Sequence, residues 1–211
     1  MNKESLRIYL ITDSGQMEER LFLQKIEEAL CAGATCLQLR EKEKTGLDYY
    51  QLAQKVHRIT QAHHVPLIID DRVDIALSIG AEGVHVGQSD LPVHEARRLM
   101  GTHAIVGATA KTVDQALCAE REGADYLGVG AIYPTSTKVK TKITSTETLR
   151  KICQAVRIPV NAIGGLTADN IDILAGSGIA GICVVSYIMQ AHDISASVQA
   201  LFHAADAVLQ A

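Results

Sequence analysis

Glu122-Gly123-Ala124-Asp125-Tyr126-Leu127-Gly128-Val129-Gly130 reads as the end of a helix, a glycine stop and an apolar strand. Glycine there supplies the left-handed residue that ends a helix without a Cβ clash. The same phrase recurs in Ala32-Gly33-Ala34-Thr35, Ile79-Gly80-Ala81-Glu82 and Gly176-Ser177-Gly178-Ile179. Outward from these, apolar runs predict eight strands, at 7–12, 35–40, 65–70, 83–86, 104–108, 126–130, 159–163 and 181–186. Helical spacing fills the gaps, with Val113, Ala116 and Leu117 at i, i+3, i+4 and Leu52, Val56 and Ile59 at i, i+4, i+7. Thr112, Ser145 and Thr167 stand where helix starts are expected. Pro66-Leu67-Ile68-Ile69 is continuously apolar, as a parallel strand covered on both faces must be. Strand then helix, eight times, predicts a single-domain (β/α)8 TIM barrel over residues 1–211. An open doubly wound sheet would carry Gly-x-Gly-x-x-Gly after its first strand, whereas this chain has Ile11-Thr12-Asp13-Ser14-Gly15.

The chain has 211 residues, 47% apolar and 21% charged, enough apolar material for one large core. Twenty basic against 24 acidic side chains give a net charge of -4, without the basic excess of a nucleic-acid binder. No apolar run approaches a membrane span or a secretory core, so a membrane partner is not expected. The five cysteines are scattered and never form Cys-x-x-Cys. They predict reduced thiols in a cytoplasmic protein, without a disulfide framework or thiolate metal site. The composition is compatible with a homo-oligomer.

In a (β/α)8 barrel the chemistry sits at the carboxyl ends of the strands. Those ends are polar: Gln38-Leu39-Arg40-Glu41-Lys42, Asp70-Asp71-Arg72, Gly87-Gln88-Ser89-Asp90, Thr109-Ala110-Lys111, Tyr133-Pro134-Thr135-Ser136-Thr137-Lys138, Gly164-Gly165 and Val185-Ser186. Arg40, Lys42 and Lys138 are cations that the barrel would gather in an acidic protein, which suits a phosphorylated ligand. Asp71 and Asp90 are hard oxygen donors on adjacent strand ends and favour Mg2+, which takes its remaining ligands from water and substrate phosphates. Together they point to a diphosphate. Gly164-Gly165, read as running into a helix start at Thr167, predicts a second anion site on bare backbone N–H groups. His85, in strand four, either faces the pocket or is a satisfied interior residue. No Gly-x-Ser-x-Gly elbow supports a Ser-His-Asp hydrolase.

In order and spacing, Gln38 to Lys42, Asp71-Arg72-Val73-Asp74-Ile75-Ala76, Gly83-Val84-His85-Val86-Gly87-Gln88-Ser89-Asp90, the segment from Gly128 to Lys138 and Ala162-Ile163-Gly164-Gly165 closely resemble the thiamine phosphate synthase family. The resemblance covers nearly the whole chain. It implies a (β/α)8 enzyme that joins 4-amino-2-methyl-5-hydroxymethylpyrimidine diphosphate to 4-methyl-5-(2-phosphoethyl)thiazole or its carboxylated form, releasing pyrophosphate with Mg2+ as cofactor. Carried over by position, Gln38, Leu39, Arg40, Glu41, Lys42 and Asp70 fall in the pyrimidine diphosphate site, with Thr109 and Lys138 assisting. Arg40, Lys42 and Lys138 are the implied catalytic cations, and Asp71 and Asp90 the implied metal ligands. Thr135, Ser136 and Thr137, with Gly165, Val185 and Ser186, receive the thiazole phosphate. The implied mechanism loses diphosphate first, leaving a cation that the aminopyrimidine delocalises and the thiazole nitrogen attacks.

Two departures stand out. Asp70 occupies a position where the family usually has Asn, and Thr109-Ala110-Lys111 replaces a frequent Ser-Ala-His. Rival readings are a thiazole tautomerase on the same barrel, a catalytically weak paralogue that binds thiamine precursors, and a sugar-phosphate epimerase. The first does not need the full Arg40, Lys42, Asp71, Asp90 and Lys138 set. The last leaves the carboxylate pair unexplained.

Overall fold

The computed structural model describes residues 3–135 and 142–210. Eight strands, β1 (Ile8–Ile11), β2 (Cys36–Leu39), β3 (Leu67–Asp70), β4 (Gly83–Val86), β5 (Ile105–Ala110), β6 (Tyr126–Gly130), β7 (Val160–Ile163) and β8 (Gly181–Val184), pair in parallel in chain order. β8 returns to β1 with Tyr9 opposite Cys183, so the barrel is closed and has no free edge. The helices are α1 (Glu19–Cys31), α2 (Gly46–Ala62), α3 (Val73–Ile79), α4 (Val93–Met100), α5 (Val113–Arg121), α6 (Thr146–Ala155), α7 (Ser186–Met189) and α8 (Ile194–Leu209).

Alternation along each strand sorts the side chains into two populations. Leu10, Leu37, Leu39, Ile69, Val84, Val106 and Leu127 point outward into the core shared with the helices. Tyr9, Cys36, Ile68, Tyr126 and Cys183 point inward and fill the barrel with Leu6 and Ile11. Each fully buried aliphatic side chain contributes about 1.5–3 kcal/mol. No helix among the described residues is long and apolar enough to cross a membrane.

The expected caps form at two of three places. Thr112 accepts from the Gln115 N–H (3.2 Å), and Ser145 from the Thr148 N–H (3.1 Å). The helix expected at Thr167 is absent: β7 is followed by a 3-10 turn at Ile171–Leu174. The Asn170 side chain explains this, since it accepts from the Thr167 N–H (2.9 Å) and donates to the Gly165 carbonyl (2.9 Å), closing a turn where a helix would begin. β5 also runs further than expected, so Thr109 lies within a strand rather than after it.

Candidate active site

A cavity of about 400 Å³ opens at the carboxyl ends of the strands. Gln38, Arg40, Asp70 and Thr109 line it beside Thr135, Gly165, Val185 and Ser186, so both halves of the expected substrate set share one chamber. Gly164 and Gly165 hold φ of +104° and +65°, a region that side chains rarely adopt. A Cβ at Gly165 would come within 2.7 Å of the Pro134 carbonyl, so bare backbone is required there. Of the expected second anion site, the glycines are thus in place but the helix is not.

Arg40 lies 3.7 Å from Asp13 and 3.8 Å from Asp70, and Lys42 lies 3.0 Å from Asp70 and bonds directly to Asp71. Both cations thus face carboxylates. Burial tends to lower the Lys42 pKa, but hydrogen bonds and charge from Asp71 and Asp70 carry it above the usual ammonium value. Asp70, 8% exposed, is the buried centre of this cluster.

Asp71 begins the loop after β3 in the left-handed region, at φ +58°, which Asp tolerates better than most side chains. Its N–H donates to the His85 carbonyl (2.8 Å), pinning the turn. Burial, then the charge of Asp70, pushes its carboxyl up to about 6, with Lys42 opposing and the Asp90 carboxylate in hydrogen-bond contact raising it further. Asp90 is held by the Gly87 N–H (2.9 Å). Two carboxylates brought together at a cost in mutual repulsion fit a divalent cation, and the Lys42 ammonium is the positive charge beside them. No cluster of three or more metal-ligating side chains forms among the described residues. A two-carboxylate set suits Mg2+, which keeps waters and takes phosphate oxygens.

Not every expected residue lines the cavity: Lys42, Asp71 and Asp90 stand beside it at neighbouring strand ends, outside its lining. The Leu39 side chain is fully buried in the outer core, because it alternates with the inward-facing Gln38. Its carbonyl accepts from the Tyr49 hydroxyl (2.6 Å). Glu41 turns away too, since its side chain is 5% exposed and accepts from the Ser14 hydroxyl (2.7 Å). Burial raises its pKa, with Ser14 and Lys44 opposing. The Leu39 and Glu41 side chains thus pack against the outer core and the Ser14 loop rather than line the cavity. Ser136, Thr137 and Lys138 lie outside the described residues.

Sequence reasoning missed Tyr9 and Tyr126, which line the cavity floor. The signal available was strand alternation, since each inward position is set by register across the barrel. Lys111 also lines the cavity, and Gln88 donates to the Thr109 carbonyl (2.6 Å).

Known proteins share this fold and much of this sequence. Residues 8–188 match the family model described as thiamine monophosphate synthase. A protein named thiamine-phosphate synthase 2 from Streptococcus pneumoniae is 56% identical over 200 residues, covering 95% of each chain. Thiamine-phosphate synthase from Enterococcus faecalis is 49% identical over 209 residues, covering 99% of each. The solved structure of thiamine phosphate pyrophosphorylase from Pyrococcus furiosus superposes with a TM-score of 0.89 at 35% identity, covering 98% of both chains. With a family match across most of its length and relatives at this identity, the chain belongs to the thiamine monophosphate synthase family.

Proposed function

We propose that the protein condenses 4-amino-2-methyl-5-hydroxymethylpyrimidine diphosphate with 4-methyl-5-(2-phosphoethyl)thiazole to give thiamine phosphate and pyrophosphate. The observation that carries this reading is the single chamber that joins Gln38, Arg40, Asp70 and Thr109 to Thr135, Gly165 and Ser186, with Asp71, Asp90 and Lys42 at the neighbouring strand ends. In this reading Arg40 and Lys42 receive the diphosphate, and Asp71 and Asp90 hold Mg2+. When bound, Mg2+ neutralises charge building on the leaving diphosphate. Gly165 and Ser186 take the thiazole phosphate. Gln38 and Thr109 orient the pyrimidine diphosphate from the cavity floor, so that loss of diphosphate and attack by the thiazole nitrogen occur in line. Lys138 completes the cationic set. The free thiols of Cys31, Cys36, Cys118, Cys153 and Cys183 suit a reducing compartment, and we assign the reaction to the cytoplasm.

The test mixes purified protein with both substrates, with and without Mg2+, and follows thiamine phosphate by thiochrome fluorescence alongside pyrophosphate. Equal, Mg2+-dependent formation of both products is expected. Calorimetric binding of either substrate without product would instead identify a binding-only paralogue.

Asp70 gives this chain a property of its own. Its carboxylate engages Lys42 and Arg40, the two cations the diphosphate needs. The Asp70→Asn variant is expected to lower the pyrimidine diphosphate KM by roughly three- to tenfold and reduce the Mg2+ needed for half-maximal rate, the size of one relieved like-charge contact. A titration in which neither value moves would show that Asp70 leaves diphosphate binding untouched.

A further inference from the structure

Beneath the cavity, five inward side chains from five strands form one row of hydrogen bonds. The Gln38 amide Nε2 on β2 donates to the Tyr9 hydroxyl on β1 (2.9 Å), which meets the Tyr126 hydroxyl on β6 (2.7 Å). Tyr126 meets His85 Nδ1 on β4 (3.0 Å), and His85 Nε2 meets Thr109 Oγ1 on β5 (3.0 Å). Glycines make the room. A side chain at Gly107 would run into the Tyr126 ring, and a Cβ at Gly128 would approach His85 Cε1 at 3.3 Å. Gln38, Tyr9, Tyr126 and His85 are 3%, 1%, 0% and 9% exposed.

The row has a direction, because Gln38 enters it through its amide nitrogen, which can only donate, and each hydroxyl has one hydrogen. Once Tyr9 accepts from Gln38, its hydrogen must go to Tyr126, since its other neighbour, the Cys36 sulfur, is a weak acceptor. Tyr126 then donates to His85 Nδ1, which places the His85 hydrogen on Nε2, pointing at Thr109. The reverse order would leave the Tyr9 hydrogen, among the described residues, without an oxygen or nitrogen partner to accept it. Burial holds both phenols far above their ordinary pKa, so both remain donors. At the far end Thr109 has accepted from His85, and its own hydrogen is left for the cavity. At the near end the Gln38 amide nitrogen is engaged inward, and the carbonyl oxygen is what the residue offers a ligand.

We propose that Tyr9, Tyr126 and His85 are positioning residues that fix this polarity, presenting the Gln38 carbonyl to the exocyclic amine of an aminopyrimidine and the Thr109 hydroxyl hydrogen to an oxygen of its diphosphate. The inference rests on the synthase reading and adds three residues to it. Each bond in the row strengthens the next, so the two ends are coupled although they touch different parts of the substrate.

The test uses the full chain and steady-state kinetics with each substrate varied in turn. Tyr126→Phe removes one oxygen and keeps the ring. It is expected to raise the pyrimidine diphosphate KM about tenfold, the loss of roughly one or two hydrogen bonds, with the thiazole phosphate KM nearly unchanged and the melting temperature lowered, because the Tyr9 hydrogen and His85 Nδ1 lose their buried partner. His85→Leu is expected to act likewise. His85→Gln, which keeps one acceptor and one donor, is expected to restore most of the loss, as a proton-transferring imidazole could not be restored by an amide. An active wild type whose variants leave the pyrimidine KM unmoved overturns the inference alone. So does an equal shift of both KM values, or His85→Gln as impaired as His85→Leu. A wild type that makes no thiamine phosphate overturns the synthase reading, and the inference with it.

Discussion

Asp71→Asn is expected to lower turnover by about 10²–10⁴, the effect of some 3–5 kcal/mol of lost transition-state stabilisation at a metal-bound leaving group. Asn is the appropriate replacement because the residue sits at φ +58°, where the short amide is tolerated and an aliphatic side chain would add strain. The fold should not suffer. The native carboxyl is destabilised by burial and by Asp70, so removing its charge relieves repulsion while the backbone bond to the His85 carbonyl remains. Circular dichroism and thermal melting should therefore match the wild type, and excess Mg2+ should recover only part of the rate. Near-normal turnover at the wild-type Mg2+ optimum would remove Asp71 from the metal site.

Arg40→Ala is expected to raise the pyrimidine diphosphate KM by about 10²–10³, because a charge-assisted pair is worth roughly 1.5–3 kcal/mol and its loss uncovers a second charge. That second charge is Asp70, 3.8 Å from the Arg40 guanidinium and one-tenth exposed at its side chain. With Arg40 gone, Asp70 retains Lys42 as a nearby cation and opposes the incoming diphosphate more strongly. Asp70→Asn should therefore improve pyrimidine diphosphate binding more in the Arg40→Ala background than in the wild type. An equal gain in both backgrounds would show that the two residues act independently. Arg40→Lys should fall between, since an ammonium keeps the charge but cannot grip two oxygens.

Much of the site was legible because the fold converts order into place. In a parallel barrel every strand ends on the same face, so polar residues following apolar runs converge whatever their separation in sequence. Gln38, Arg40, Asp70, Thr109, Thr135, Gly165 and Ser186 could be gathered on that ground, and they share one cavity. Leu39 and Glu41 are adjacent to residues that line the cavity but face elsewhere, because alternation sends Leu39 outward and a buried bond to Ser14 holds Glu41. Position after a strand selects a segment; side-chain phase selects the residues within it.

The chain by itself determined the eight strands and most of the helices. Glycine stops, capping hydroxyls and apolar runs are local, and each acts within a few residues of where it is read. It also determined the face at which the cavity opens. Only the tertiary structure decided that Asn170 closes a turn where Thr167 would have begun a helix, and that Lys42 and Arg40 are engaged by Asp70 and Asp71. It alone brought Tyr9 to Tyr126, 117 residues away, in a row ending at Gln38 and Thr109. Those contacts depend on strand register around a closed barrel and on the space left by Gly107 and Gly128, neither of which is encoded in any one segment.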